Sequence, residues 1–171
     1  MTPLAGVAAV EVLNLQGTQV RDVTPLAGLT KLKELHFSDT QVRDVTPLAE
    51  VTTLEVLNLN RTQVRDVMPL AELRLKKLFI SHMQRSDITP LAGMTTLEVL
   101  NLYKTQVRDV TPLAGLARLE VLNLSRTQVR DVTPLAELTS LKELSLARVQ
   151  INEEAMDQLT EALPQCSLNL R

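Results

Sequence analysis

With 171 residues, 44% of them hydrophobic and only 2% aromatic, the chain is long enough for one domain, or for two small ones, with a core of leucine and valine. The formal net charge of -2 argues against a nucleic-acid binder that works through bulk charge, although a local basic patch stays open. A single cysteine, Cys166, cannot form an internal disulfide, so nothing demands an oxidising compartment.

The N-terminal segment 1–10 lacks the basic start and the long apolar run of a signal peptide. No stretch approaches the roughly 18 apolar residues that a membrane span requires. We therefore expect a cytoplasmic protein without a membrane partner, or a secreted one if the chain is a fragment or an effector.

One phrase recurs along nearly the whole chain, and a proline marks each copy. The prolines follow one another at intervals of 22, 22, 22, 21, 22 and 22 residues: Pro3, Pro25, Pro47, Pro69, Pro90, Pro112 and Pro134. A unit this short cannot bury its own apolar face, so stacked copies must share one core. The sequence therefore predicts a solenoid of seven repeats.

Within each copy, two periodicities predict two elements. Leu113, Leu116 and Leu119 are spaced by three, which is typical of a 3₁₀ turn. Leu122 and Leu124 alternate with polar neighbours, which predicts a short strand with one buried face. Seven parallel strands are expected, centred on residues 13–15, 35–37, 57–59, 78–80, 100–102, 122–124 and 144–146. The threonine before each proline, such as Thr133, is expected to cap the turn with its hydroxyl.

The two ends differ. At the C-terminus, Asn152 is expected to cap a helix over residues 153–163, with Ala155, Met156, Leu159 and Leu163 on its apolar face, before an edge strand over 167–170. We interpret 1–152 as the repeat array and 153–171 as a C-terminal cap of the same domain, with Cys166 buried. The chain starts inside the repeat phrase, so we expect an open first core layer that favours self-association.

The Asp-Val-Thr-Pro-Leu phrase of residues 131–135 and its copies resembles the leucine-rich-repeat family, in particular its bacterial 22-residue internalin-like type. The resemblance implies an α/β solenoid: a right-handed array with a parallel sheet on the concave face, 3₁₀ turns on the convex face and a C-terminal helical cap. It also implies protein recognition by the concave face. The family usually has asparagine where this chain has Thr18, Thr40, Thr62, Thr105 and Thr127, so we expect only part of its ladder between repeats.

Alternation along the strands predicts which side chains point outward. The three outward columns are Val12, Glu34, Val56, Lys77, Val99, Val121 and Glu143; Asn14, His36, Asn58, Phe79, Asn101, Asn123 and Ser145; and Gln16, Ser38, Asn60, Ser81, Tyr103, Ser125 and Ala147. Phe79 and Tyr103 are the outward aromatic residues, on adjacent strands, whereas Phe37 is expected in the core. The predicted partner-binding residues are Phe79, Tyr103, His82, Lys104, Asn101 and Lys77.

Repeat four is irregular, because one residue is missing between Leu73 and Leu78, Met83 takes the threonine position and Arg85 takes a buried valine position. We favour a decayed repeat over a deformation that shapes a recognition surface.

Two columns recur in nearly every copy and are expected to serve the repeat itself: Arg21, Arg43, Arg65, Arg108 and Arg130, and Asp22, Asp44, Asp66, Asp87, Asp109 and Asp131. A further basic column follows the strands. We interpret it as a solvated edge or as a surface that attracts an acidic partner, and its residues are Arg61, Lys104, Arg126 and Arg148.

The sequence offers little for catalysis. There is no glycine-rich phosphate loop, and His36 and His82 do not complete a zinc site with one cysteine at a familiar spacing. We therefore expect no enzyme activity, cofactor or metal. The favoured function is a protein-interaction module. The alternatives are a segment of a larger multidomain signalling or effector protein, and, less favoured, an engineered consensus-like array.

Overall fold

A computed structural model describes residues 9–84 and 87–171, and in them eight strands form one parallel sheet in chain order. The strands are β1 (Val12–Asn14), β2 (Glu34–His36), β3 (Val56–Asn58), β4 (Lys77–Phe79), β5 (Val99–Asn101), β6 (Val121–Asn123), β7 (Glu143–Ser145) and β8 (Ser167–Asn169). The predicted array and edge strand are confirmed, and each of the first seven strands begins one residue before the predicted range.

A 3₁₀ turn follows each of the first six strands, on the side of the core opposite the sheet. The turns span Thr24–Leu26, Thr46–Glu50, Met68–Leu70, Thr89–Gly93, Thr111–Leu113 and Thr133–Glu137. The proposed threonine caps are wrong, because the threonine is already the first residue of the turn and no side chain caps it from the residue before. Instead the aspartate two residues earlier accepts the threonine N–H, as between Asp131 Oδ1 and Thr133 N at 2.9 Å.

The core is a stack of nearly identical layers between the sheet and the turns. In the sixth layer, Leu113, Leu116, Leu119 and Leu124 are all 0% exposed. Phe37 is buried in the second layer, as expected, at a position that leucine holds elsewhere. Because each layer is filled this tightly, shortening one leucine to alanine is expected to cost about 2–5 kcal/mol.

The C-terminal prediction is confirmed in its main elements. Helix α1 spans Glu153–Ala162, and the Asn152 Oδ1 atom accepts the N–H of Ala155 at 2.7 Å. Leu159 and Leu163 are buried, and Met156 is half-buried. Within the described ranges α1 is the single α-helix, and no helix there is long and apolar enough to cross a membrane. Cys166 is half-buried rather than fully buried, and burial, followed by the charge of Glu143, raises the pKa of its thiol.

Repeat four keeps the sheet regular despite its missing residue. The shortening falls between Leu73 and Leu75, which are both buried, so the loop before β4 absorbs it. Strand β4 stays in register, with Lys77 opposite Val56 on one side and Val99 on the other. Met83 is 5% exposed and fills the threonine position as a core residue. The expectation for Arg85 falls outside the described residues.

Candidate interaction surface

The outer face of the sheet carries the first two predicted columns, whose side chains are half-buried or exposed. The third column is different, and its prediction as an outward surface is wrong for three serines. Ser38, Ser81 and Ser125 are buried, because the chain turns as each strand ends. This column links repeats instead: Ser125 Oγ accepts the N–H of Ala147 at 3.2 Å, one repeat further on.

The asparagines of the second column shape the turn that follows each strand. Asn58 Oδ1 accepts the N–H of Asn60 at 3.0 Å, and Asn101 Oδ1 accepts the N–H of Tyr103 at 2.9 Å. Asn14 makes the same bond to Gln16. An asparagine side chain that bonds the backbone two residues on stabilises a tight turn. Asn101 therefore positions the backbone of Tyr103, whatever else it contacts.

Phe79 is the large apolar side chain of the second column. It ends β4 and lies in register between Asn58 of β3 and Asn101 of β5, and it is half-buried. Lys77 precedes it by two residues on the same face and is exposed. Phe79, Lys77 and Asn101 therefore lie together on the sheet, as predicted.

Tyr103 lies just beyond β5, in the turn rather than in the strand. Its ring centroid is 5.5 Å from that of His82, and the rings are tilted by 54°. The Arg126 guanidinium carbon lies 5.6 Å from the Tyr103 ring centroid on the next repeat, which is within range of a cation–π contact. Sequence reasoning placed Arg126 in a basic column but not among the partner-binding residues. Its position one repeat after Lys104 was the available signal.

The predicted patch therefore has two parts. Phe79, Lys77 and Asn101 form the sheet part, and Tyr103, His82 and Lys104 form the turn part, which also contains Arg126. The N–H of His82 donates to the Tyr103 carbonyl at 2.9 Å, so a backbone hydrogen bond joins the two residues that carry this ring pair.

Except for Tyr103, the residues of the turn part belong to a column in which the backbone is left-handed. The residues with φ between 54° and 69° are Gly17, Asp39, Arg61, His82, Lys104, Arg126 and Arg148. This conformation costs a residue other than glycine roughly 1–2 kcal/mol. Burial lowers the pKa of His82, and the cations of Lys104 and Arg61 lower it further. This edge of the sheet is therefore electropositive around His82.

Three arginines of the arginine column, Arg21, Arg43 and Arg108, serve the repeat by bonding to glutamines of the next repeat. Arg21 Nε donates to Gln41 Oε1 at 2.7 Å, and Arg108 Nε donates to Gln128 Oε1 at 2.8 Å in the next repeat. The neighbouring aspartates are held by the turn. Hydrogen bonds from the Thr133 hydroxyl and then its N–H lower the pKa of Asp131.

Grooves open between successive arginines of this column, and two of them have matching linings. One has a volume of about 620 Å³ and is lined by Arg43, Thr62, Gln63, Val64, Arg65, His82 and Gln84. The other has a volume of about 610 Å³ and is lined by Arg108, Thr127, Gln128, Val129, Arg130, Arg148 and Gln150. Both grooves flank the left-handed column.

The opposite edge of the sheet, where the strands begin, carries ion pairs between repeats. Lysine and glutamate of adjacent repeats pair there: Lys33 with Glu11 at 2.9 Å, Lys76 with Glu55 at 2.7 Å and Lys142 with Glu120 at 2.8 Å. These pairs are about half exposed, so water screens them and they contribute little to stability. Across the parts of the chain that the structure describes, no three acidic, histidine or cysteine side chains converge as a metal site.

This fold, with one short parallel strand and one 3₁₀ turn per repeat, is that of a leucine-rich-repeat protein. A family model described as leucine-rich repeats in two copies matches residues 9–50 and 95–137. Internalin C2 of Listeria monocytogenes is 32% identical, with a TM-score of 0.88 over 96% of this chain and 72% of that chain. The chain belongs to the leucine-rich-repeat family and to its bacterial internalin-like type.

Two further solved structures are similar. An internalin of Listeria monocytogenes designated inlF is 30% identical, with a TM-score of 0.91 over 98% of this chain and 49% of that chain, so the present chain spans about half of its length. The second is the ectodomain of the plant membrane receptor kinase GASSHO1/SCHENGEN3 of Arabidopsis thaliana, solved in complex with Casparian strip integrity factor 2. It is 17% identical to this chain, and its TM-score is 0.76 over 98% of this chain and 22% of that chain. The plant structure shares the fold alone. Comparison with curated protein sequences gave no match.

Proposed function

We propose that this chain is a protein-interaction module whose partner binds the outer, concave face of the sheet at repeats four and five. Leucine-rich-repeat proteins generally act in protein–protein interaction. The carrying observation is that two of the three aromatic side chains of the chain, Phe79 and Tyr103, lie outside the core at the ends of adjacent strands, whereas Phe37 is fully buried. Aromatic side chains near the centre of a face are the typical anchors of protein interfaces.

The surroundings of the two rings support an anchoring role. Phe79 is flanked in register by asparagines, so it is the large apolar contact of its row. Tyr103 is held between His82 and Arg126, and a preorganised side chain loses less entropy on binding. Lys77 and Lys104 add exposed positive charge on either side. The proposed function involves binding only, without a chemical step.

A second candidate function is the recognition segment of a larger signalling or effector protein whose activity lies elsewhere. The observation that favours it is that this chain matches only 49% of the internalin inlF, so about half of that protein has no equivalent in this chain. In both cases the expected compartment is the cytoplasm, or the outside of the cell for a secreted effector.

Site-specific photo-crosslinking tests the location of the interface. A photoreactive benzoylphenylalanine replaces Phe79 at the centre of the face, Val12 at its far end, or Met68 on the 3₁₀ side; Val12 and Met68 are 57% and 58% exposed. In extract of the source cells, we expect a discrete product from position 79 and little from positions 12 and 68. Adding Tyr103→Ala should reduce the product.

Once the captured partner is purified, Phe79→Ala and Tyr103→Ala should each weaken its binding by about 1–3 kcal/mol, as expected of interface anchors. The melting temperature should hardly change, because neither ring belongs to the core. Val12→Ala is the control, and it is preferable to Asn14→Ala because Asn14 bonds the Gln16 backbone. Equal crosslinking at positions 68 and 79, or full binding by the double aromatic variant, would move the site elsewhere.

A further inference from the structure

The two grooves beside the left-handed column are copies of one another, three repeats apart. Thr62, Gln63, Val64 and Arg65 of the first correspond to residues 127–130 of the second, and each groove also contains a preceding arginine and a following glutamine. The one difference in their lining is that Arg148 takes the place of His82. The groove of repeats five to seven, which we name the arginine groove, is lined by Arg108, Arg130 and Arg148.

The arginine groove brings three arginine side chains together, and no carboxylate lines it. Within the described ranges, Arg130 and Arg148 form no hydrogen bond or ion pair, whereas Arg108 is oriented by Gln128 through its Nε atom and keeps its terminal nitrogens available. The adjacent carboxylates of Asp109 and Asp131 accept the N–H groups of residues 111 and 133 at the starts of their turns.

One arginine of the groove, Arg148, occupies the left-handed backbone position that recurs in every repeat. Arg148 has φ 59°, a conformation that suits glycine or asparagine better than a long cationic side chain. The first two copies of this position hold Gly17 and Asp39, whereas every copy from Arg61 onward holds arginine, lysine or histidine. A basic residue is therefore kept at this strained position in every repeat from Arg61 to Arg148, which indicates a use for its charge.

We propose that the arginine groove binds the carboxylates of an acidic, extended segment of a protein partner. The planar fork of arginine matches a carboxylate with two parallel hydrogen bonds. A groove of about 610 Å³ accommodates several side chains, and the Gln128 and Gln150 amides line it as further polar groups. The net charge of -2 on the whole chain favours such local recognition over binding of a polyanion by bulk charge.

The site lies at the loop edge, beyond the sheet part of the interaction surface, and does not depend on Phe79 or Tyr103. The related groove with His82 serves as an internal comparison. It holds two arginines and a histidine whose pKa is lowered, so it should bind the same carboxylates more weakly near neutral pH.

Fluorescence anisotropy with a labelled octaglutamate peptide at low ionic strength tests the proposal. The double variant Arg130→Gln/Arg148→Gln should weaken binding at least about ten-fold, because two unpaired guanidinium groups are removed. The control Arg74→Gln/Arg118→Gln changes the net charge equally, and its arginines line a depression at the opposite edge of the sheet. It should weaken binding less than about two-fold after allowance for screening.

Chemical-shift mapping on the unaltered protein provides a readout that needs no variant. Octaglutamate should shift the side-chain amide signals of Gln128 and Gln150 more than those of Gln63 and Gln84 in the histidine-containing groove. Circular dichroism of each variant should match the unaltered chain, since the substituted arginines make no internal bond.

Three results would overturn the proposal: equal losses in the groove and control variants, no shift at Gln128 or Gln150, or no measurable binding of octaglutamate. A thymidine octanucleotide serves as the phosphate-bearing probe. If it binds through the same groove more tightly than octaglutamate, the groove binds phosphates and the proposal of an acidic protein segment is wrong. Weak octanucleotide binding alongside groove-dependent peptide binding supports the assignment.

Discussion

At the scale of single residues, the threonine that follows the left-handed position closes the turn of its own repeat. The hydroxyl groups of Thr62 and Thr105 each donate to the carbonyl three residues earlier, at 2.8 Å in both cases. The corresponding Thr40 hydroxyl is buried without a hydrogen-bond partner. The same side chain therefore has opposite energetic consequences in neighbouring repeats, because a buried hydroxyl that lacks a partner keeps its full desolvation cost.

Replacing these threonines by valine, which has the same shape, should separate the two cases. Thr105→Val removes a satisfied hydrogen bond and should lower the free energy of unfolding by about 1 kcal/mol. Thr40→Val removes an unsatisfied buried hydroxyl and should leave the stability unchanged or raise it by up to about 1 kcal/mol. Urea denaturation of both variants measures the difference. Equal losses would show that Thr40 has a partner in solution.

The expected ladder of threonines between repeats is replaced by other links. The threonine hydroxyls bond within their own repeat, as Thr127 does to the Leu124 carbonyl at 2.6 Å. The backbone next to them joins neighbouring repeats, as where the N–H of Gln128 donates to the Val107 carbonyl at 2.9 Å. Hydroxyls at other positions do bond across repeats, as Thr53 Oγ1 does to the Leu32 carbonyl at 2.7 Å, so the position of the threonine in the repeat decides which bond it makes.

At the scale of elements, helix α1 covers the last core layer. It takes the place of a seventh 3₁₀ turn after β7 and packs against the turn Thr133–Glu137. Its buried residues are Ala155 and Leu159, and Leu163 follows at its end. Strand β8 then pairs with β7, so the segment 153–171 contributes to both faces of the array. We therefore predict that the array depends on this segment for its stability.

Deleting residues 153–171 should lower both the melting temperature and the solubility, because the apolar layer beneath α1 would face water. A finer variant, Leu159→Ala, should cost about 2–5 kcal/mol if the helix is packed as tightly as the repeats. Gln158→Ala on the exposed side of the same helix is the matched control and should stay within about 0.5 kcal/mol. An unchanged melting temperature after the deletion would mean that the array is stable without this segment.

Elements dictated by periodicity could be predicted from the sequence, whereas details decided by turn geometry could not. Leu113 and Leu122 occupy columns that recur in every copy, so the strands, the turns and the core could be predicted from the spacing of the leucines. Ser125 alternates like an outward residue, yet it is buried because the chain has already left the strand. The ring pair of Tyr103 with His82 depends on the left-handed turn, which the sequence signals only weakly where histidine or arginine replaces glycine.

At the scale of the whole molecule, the array has a core that is less well covered at its two ends than in its middle. Leu13 and Leu15 of the first layer are half-buried, whereas their counterparts Leu57 and Leu59 are 0% exposed. At the other end Leu170, just after β8, is 54% exposed. Edges of a sheet and open apolar layers both favour association with other chains.

We expect the first repeat either to mediate concentration-dependent self-association or to fray. Apolar surface such as that around Leu13 is stabilised by contact with a second chain, and without one its strand has few buried contacts to hold it. Sedimentation velocity over a wide concentration range detects association. Amide hydrogen exchange compares β1 with β6, whose residues occupy the same columns inside the array. If the amides of β1 exchange faster than those of β6 at low concentration and slow down as the concentration rises, the first repeat frays in the monomer and is stabilised by self-association. A single monomeric species at high concentration, with β1 protected as strongly as β6, would contradict both, because it would show that the first layer is stable without further cover.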